Sequence, residues 1–213
     1  MEILKKLIED YPQLSPCELG INESFQALFD TVLGGGCIYV CGNGGSAADC
    51  QHIVGEMMKG FLKKRPVSLS PEIVEKLSPD TAKFLSNNLQ GAMPCHSLTV
   101  ETALISALCN DVSADIIFAQ QVHGYCKPGD CLICISTSGN AVNVCLAAEL
   151  ASAMGIKTIA MTGQGGGELA KLCDISIQVP SDITMKIQEY HLPVYHALCA
   201  AVEDTFFSAE ANM

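Results

Sequence analysis

The feature that most limits what this chain can become is an apolar run that stops at glycines and restarts as a helix. Residues 37–41, CIYVC, have the length and apolarity of a buried strand, and Gly42-Asn-Gly-Gly-Ser46 follows directly. A helical pattern begins at Ala47, which makes Ser46 a natural N-cap. Strand, glycine turn and helix in that order leave free backbone N–H groups at the positive end of a helix, an anion cradle. The order then recurs. Residues 131–135 form a second apolar run, Ser136-Thr-Ser-Gly-Asn140 interrupts it, and a helix is expected through residue 154. A third strand at 157–161 meets Thr162-Gly-Gln-Gly-Gly-Gly167, followed by a short helix at 168–173 and a fourth strand at 175–179. Strands alternating with helices predict an α/β fold with a parallel sheet covered on both faces. Ligands of such sheets collect beyond the carboxyl ends of the strands, where these turns lie.

The rest of the chain supplies helices. Residues 1–10 pattern as an amphipathic helix, residues 17–33 as a second one ended by Gly34-Gly-Gly36, and 99–109, 115–125 and 185–207 as three more. Residues 67–93 break the alternation with two Ser-Pro pairs and one helical piece, and so read as a helical insertion. All 213 residues are expected to form a single domain, with its N-terminal helical part over 1–34.

Composition excludes several classes of partner. The formal net charge is −11, which disfavours nucleic acid and anionic membrane surfaces, both of which require clustered Lys and Arg. No apolar run reaches spanning length and the first residues lack a signal-peptide core, so a cytoplasmic protein is expected. Twelve cysteines sit largely inside apolar strand patterns and read as small buried hydrophobes, the Cys131-Leu-Ile-Cys134 pair included. Arg65 is the single arginine, so any bound phosphate must be held by backbone amides, hydroxyls and an occasional lysine.

Gly42-Asn-Gly44-Gly-Ser-Ala47 has the spacing of a dinucleotide fingerprint, but no strand ending in an acidic residue follows at the distance that reading needs. Ser136-Thr-Ser138 is the stronger signal, because an ordinary cap needs one hydroxyl and a phosphate can use three. His52 and Glu56 lie one turn apart on the helix that starts at the first cradle. Gln188, Glu189, His191 and His196 cluster on the otherwise apolar last helix. Histidine, glutamate and glutamine can form a zinc site or an acid–base set. Gln188 and His196 are eight residues apart, about 12 Å along an ideal helix, so meeting at one point requires an irregular helix or a site shared between subunits.

GNGGSAADCQHIVGEMMKGF, ISTSGNAVNV, MTGQGGGELAKLCDISIQVP and KIQEYHLPVYH, in that order, resemble the phosphoheptose isomerases of the sugar-isomerase (SIS) domain family. The resemblance implies a doubly wound, five-stranded parallel sheet and a homotetramer with active sites at subunit contacts. It also implies conversion of sedoheptulose 7-phosphate to a heptose 7-phosphate, with zinc, one ion per subunit. Carried over by motif, Asn43, Gly44, Ser46, Ser136, Thr137 and Ser138 hold the phosphate and sugar, with Asn110 and Asp111 nearby. Glu56 falls on the base position and His196 on the acid or ligand position. His52 and Gln188 fall on the remaining metal positions, and Gln188 also on a substrate position. The chain departs from the family pattern at Ala141, where a serine is usual, at Met185, where an acid is usual, and in the length of its insertion. An alternative of another class is a non-catalytic, tetrameric phosphosugar-binding regulator; a third reading is an isomerase for a different sugar phosphate.

Overall fold

The computed structural model describes residues 2–210, except the side chains of 209 and 210; Met1, in the expected first helix, lies outside them. Five parallel strands form one sheet: β1 (Ile38–Gly42), β2 (Cys95–Ser97), β3 (Cys131–Ile135), β4 (Lys157–Gly163) and β5 (Ile175–Val179). Their order is β2-β1-β3-β4-β5, so the chain turns one way from β1 to β2 and the other way for the rest. The reversal falls between β1 and β3, which pair in parallel from Ile38↔Cys131 to Gly42↔Ile135. A crevice at such a switch point is where open α/β sheets bind ligands.

Alternate residues of β1, β3 and β4 feed opposite cores. Ile38 and Val40 join a cluster with Leu4 and Leu7 of α1 (Glu2–Asp10), Ile21, Phe25 and Leu28 of α2 (Glu18–Leu33), and Ile53 and Met57 of α3 (Gly45–Met58). Val194 and Leu198 of the long α10 (Thr184–Glu210) complete that layer. Cys41, Leu132 and Cys134 point the other way, against α6 (Thr102–Asp111), α7 (Ile117–Tyr125), α8 (Val142–Ala153) and the short α9 (Leu169–Leu172). Each buried Ile, Leu or Met contributes about 1.5–3 kcal/mol of hydrophobic stabilisation.

Four strands were legible in the sequence, and β2 was not. Its three residues, Cys-His-Ser, carry no pattern of their own, and only pairing with β1 through Ile38↔Cys95 makes them a strand. The segment 67–93 forms α4 (Pro71–Val74) and α5 (Pro79–Asn88), which starts at the Ser78 N-cap. It leaves and rejoins the core at one neck, where Pro66 bridges Gln90 and Gly91 N–H donates to Arg65 O.

Candidate active site

α3 and α10 pack against each other, and both run from the switch point toward the neck of the insertion. Two groups of polar residues sit along this pair. The first surrounds an open cavity of about 340 Å3 lined by Asn43, Gly44, Ser46, Ser136, Thr137, Ser138 and Gln188, together with Ala141. The two turns expected to grip an anion therefore face one space at the ends of β1 and β3.

The local structure of these turns differs from expectation in one respect. Ser46 does not cap α3: Gly44 is the N-cap residue, at φ +57, and Ser46 is buried inside the first turn. A positive φ at Gly44 excludes most side chains, and Gly45 has Gln188 so close that a Cβ there would fall 2.4 Å from Gln188 Nε2. Asn43 is locked to Asn143 by two reciprocal amide bonds of 2.8 and 3.0 Å, which tie the first turn to the start of α8. The hydroxyls of Ser136, Thr137 and Ser138 do not cap α8 either, since that helix starts after Ala141 with no side-chain cap. Ser138 Oγ instead accepts from Asn140 N. The third glycine turn buttresses the second: Leu169 N–H donates to Gly139 O, Glu168 N–H to Asn140 Oδ1, and Gly163 N–H to Thr137 O.

The second group lies two turns further along α3. His52 Nε2 is 3.1 Å from Glu56 Oε1 and 3.4 Å from His196 Nε2. One ligand atom from each of the three lies within 4.8 Å of the others. Glu56 Oε2 is buried without a hydrogen-bond partner, and the Lys59 ammonium stands 3.9 Å from it. Burial first, and the neighbouring His52 second, lower the pKa of His196 from its ordinary value, favouring neutral imidazole there. Two imidazoles, one carboxylate and an orphaned carboxylate oxygen match the donor set of a catalytic zinc with an open position. The residues fit the metal.

Other predicted residues fall elsewhere. α10 continues unbroken from Gln188 to His196, with Pro193 inside it. The Gln188 side chain lies against Gly45, seven residues and about 10 Å of helix rise from His52. Within one chain, then, Gln188 serves the cavity and not the His52–Glu56–His196 cluster. Asn110 and Asp111 bond to each other at the exposed end of α6, outside the cavity lining. His191 is a core residue, its Nε2 3.3 Å from Thr162 O, and burial pushes its pKa down to about 4. Glu189 pairs with Lys186 on the surface.

Sequence reasoning also missed residues. Asp49 lies one turn before His52, and Tyr195 precedes His196; the Tyr195 hydroxyl reaches His52 Nδ1, and Asp49 Oδ1 accepts from that hydroxyl. The i, i+3 spacing of Asp49 and His52 was the available signal for the first. The lone Arg65 is buried and bound to Glu203, Met57 O and Glu56 O, so it anchors the end of α3 and is not a phosphate ligand.

Comparison with known proteins identifies the fold and the family. SIS domain models match residues 91–202 and 15–86. A phosphoheptose isomerase from Akkermansia muciniphila is 38% identical over 87% of this chain and 92% of its own length. Another from Rhodospirillum rubrum is 37% identical over 92% and 91%. Two solved phosphoheptose isomerases share the fold. The one from Francisella tularensis has a TM-score of 0.73 at 28% identity, covering 94% of both chains. The one from Neisseria gonorrhoeae has 0.70 at 29%, covering 93% of this chain and 91% of that one. A sheet reversed between β1 and β3, hydroxyl and glycine turns at that reversal and relatives of this closeness place the chain in the SIS domain family, among the phosphoheptose isomerases.

Proposed function

We propose that this protein is an aldose–ketose isomerase that converts sedoheptulose 7-phosphate to D-glycero-D-manno-heptose 7-phosphate. The observation that carries the reading is the convergence of Glu56, His52 and His196 on the same helix pair whose other end lines the hydroxyl-rich cavity. The two groups are separated by about 10 Å of helix rise, a distance comparable to an extended seven-carbon chain. The phosphate would sit among the turn amides and the hydroxyls of Ser46, Ser136, Thr137 and Ser138, with Asn43 and Gln188 at its edge.

Moving the carbonyl from C2 to C1 requires a proton to leave C1 and return at C2. Glu56 is the shuttle. Its carboxylate takes the C1 proton, the C–H electron pair becomes the C1–C2 double bond of an enediol, and the same acid returns the proton to C2. Meanwhile a proton moves from O1 to O2, and in the site without metal a neutral His196 is suited to relay it. Zinc, one per subunit, would be held by His52, Glu56 and His196, and supplies Lewis-acid stabilisation of the developing oxyanion. Glu56 retains Oε2 for proton transfer while Oε1 faces His52.

Homotetramer formation is part of the proposal, because Gln188 can join the metal set, and Asn110 and Asp111 a sugar site, only across a subunit contact. Among the described residues no helix is long and apolar enough to cross a membrane, in keeping with a cytoplasmic site of action. Ala141 and Met185 remove polar groups around the sugar, so the heptose is the point most in need of test. Assay of the purified protein with sedoheptulose 7-phosphate and with shorter ketose phosphates, with and without zinc, decides it. Turnover of the heptulose above the others is expected. Its absence under both metal conditions would end the proposal.

A further inference from the structure

Asp49, His52 and Glu56 occupy one face of α3 at i, i+3 and i+7, while Tyr195 and His196 are consecutive on α10. Consecutive helical residues diverge in direction. Tyr195 is therefore 2% exposed in the core, and His196 is half-buried at the cluster. The His52 ring meets both rings edge to face, at centroid distances of 5.5 Å to Tyr195 and 4.9 Å to His196.

We infer that Tyr195, braced by Asp49, is a positioning residue that holds His52 with Nδ1 protonated and Nε2 bare toward Glu56 and His196. The inference rests on the metal-assisted reading above and deepens it. Proton counting gives the direction. The Tyr195 hydroxyl has one proton, and it goes to Asp49 Oδ1 at 3.3 Å. The phenol oxygen is then an acceptor toward His52 Nδ1, 2.9 Å away, and that nitrogen carries hydrogen; the competing tautomer takes the phenol proton at Nδ1 and donates from Nε2 to Glu56 Oε1 at 3.1 Å. In the proposed tautomer Nε2 keeps its lone pair, directed at the point it shares with Glu56 Oε1 and His196 Nε2, 3.1 and 3.4 Å away.

Metal-binding histidines are held by a bond from the other ring nitrogen to a carboxylate, carbonyl or water. Here a phenol stands between the carboxylate and the imidazole. The constraint matters because the His52 side chain is 43% exposed and would otherwise turn toward solvent. Asp49 Oδ2 is buried without a partner, which marks this carboxylate as placed for Tyr195 and not solvated for its own sake.

The Tyr195→Phe variant keeps the ring and removes only the hydroxyl. In metal-free wild-type protein at pH 8, nitrogen-15 NMR should show His52 as the Nδ1–H tautomer, and in Tyr195→Phe a shift toward Nε2–H. Zinc affinity, read by competition with a chromophoric chelator, should fall roughly 10–100-fold while the unfolding midpoint of the metal-free protein stays close to wild type. Asp49→Asn, which keeps shape and weakens the acceptor, should move both readouts the same way by less, and it serves should Tyr195→Phe fold poorly. An Nε2–H tautomer in the wild type, or equal zinc binding by wild type and both variants, overturns the inference. If the tautomer and zinc results hold while sedoheptulose 7-phosphate is not turned over, the isomerase reading falls and the positioning role stands.

Discussion

Two charged groups flank the end of α3, and they are built on opposite rules. On the core side, Glu203 accepts from Phe61, Leu62 and Lys63 N–H groups at 2.7–3.2 Å and from Arg65 Nε at 2.8 Å. Three of the other four Arg65 N–H groups donate to Met57 O, Gly91 O and Glu56 O. Burial pushes the Glu203 carboxyl up, but the Phe61 and Leu62 amides and the guanidinium outweigh it and hold it below its ordinary value. On the other side, Glu56 Oε1, His52 Nε2 and His196 Nε2 crowd together within hydrogen-bond reach, and Glu56 Oε2 has no hydrogen-bond partner, only the Lys59 ammonium 3.9 Å away. A saturated buried network fixes the backbone, whereas an unsaturated one is waiting for a cation, a proton or a substrate. The difference separates scaffold from chemistry without reference to any relative.

The comparison can be broken at its functional half. Glu56→Gln keeps the shape and removes the base, so kcat should fall about 10²–10⁴-fold. Its unfolding midpoint should barely move, since the lost oxygen stabilises little. A variant that unfolds early and still turns over would reverse the assignment.

The structural half should behave the other way. Glu203→Ala strips Arg65 of its partner in the core and leaves three amides unbound, which should cost about 3–5 kcal/mol in denaturant unfolding. Activity lost at temperatures where the variant is still folded would show that Glu203 does more than hold α3.

His191 is an intermediate case, with one nitrogen satisfied and Nδ1 buried without a partner. Its pKa is pushed down to about 4, below the ordinary 6.5, so the unfolded chain binds the proton more readily than the folded one. Stability should therefore be complete above pH 6.5 and fall as pH drops from 6.5 toward 4, by about 3 kcal/mol from this residue. Unfolding titrations of His191→Gln should show that slope flattened, and an unchanged slope would assign the acid sensitivity elsewhere.

The smallest effect sharpens the cavity itself. Gly45→Ala places a Cβ against the Gln188 amide, a flexible group that can move aside. KM for the sugar phosphate should rise up to about fivefold, roughly 1 kcal/mol, with little change in stability. An unaltered KM would remove Gln188 from the substrate site.

Much of this was readable as text. The strands at 131–135 and 175–179 coincide with β3 and β5: β3 is a continuous apolar run because it is buried on both faces, and β5, at the sheet edge, alternates apolar and polar residues. Six of the cavity residues, Asn43, Gly44, Ser46, Ser136, Thr137 and Ser138, were visible as Gly, Asn and Ser/Thr following strand ends. β2 was invisible, because pairing makes it a strand and its residues do not. Ser46 was misjudged as a cap because the two glycines before it let the helix start two residues earlier.

Local pattern alone determined the alternation of strands and helices, the glycine turns, and the His52/Glu56 face, since each depends on neighbours within a few residues. Only tertiary packing decided which distant groups meet. It brought His196 to His52 and set Gln188 against Gly45, and it buried the sole arginine on Glu203. The physical reason is that residues some 140 positions apart share no periodicity; they become neighbours because α3 and α10 bury apolar faces against one sheet.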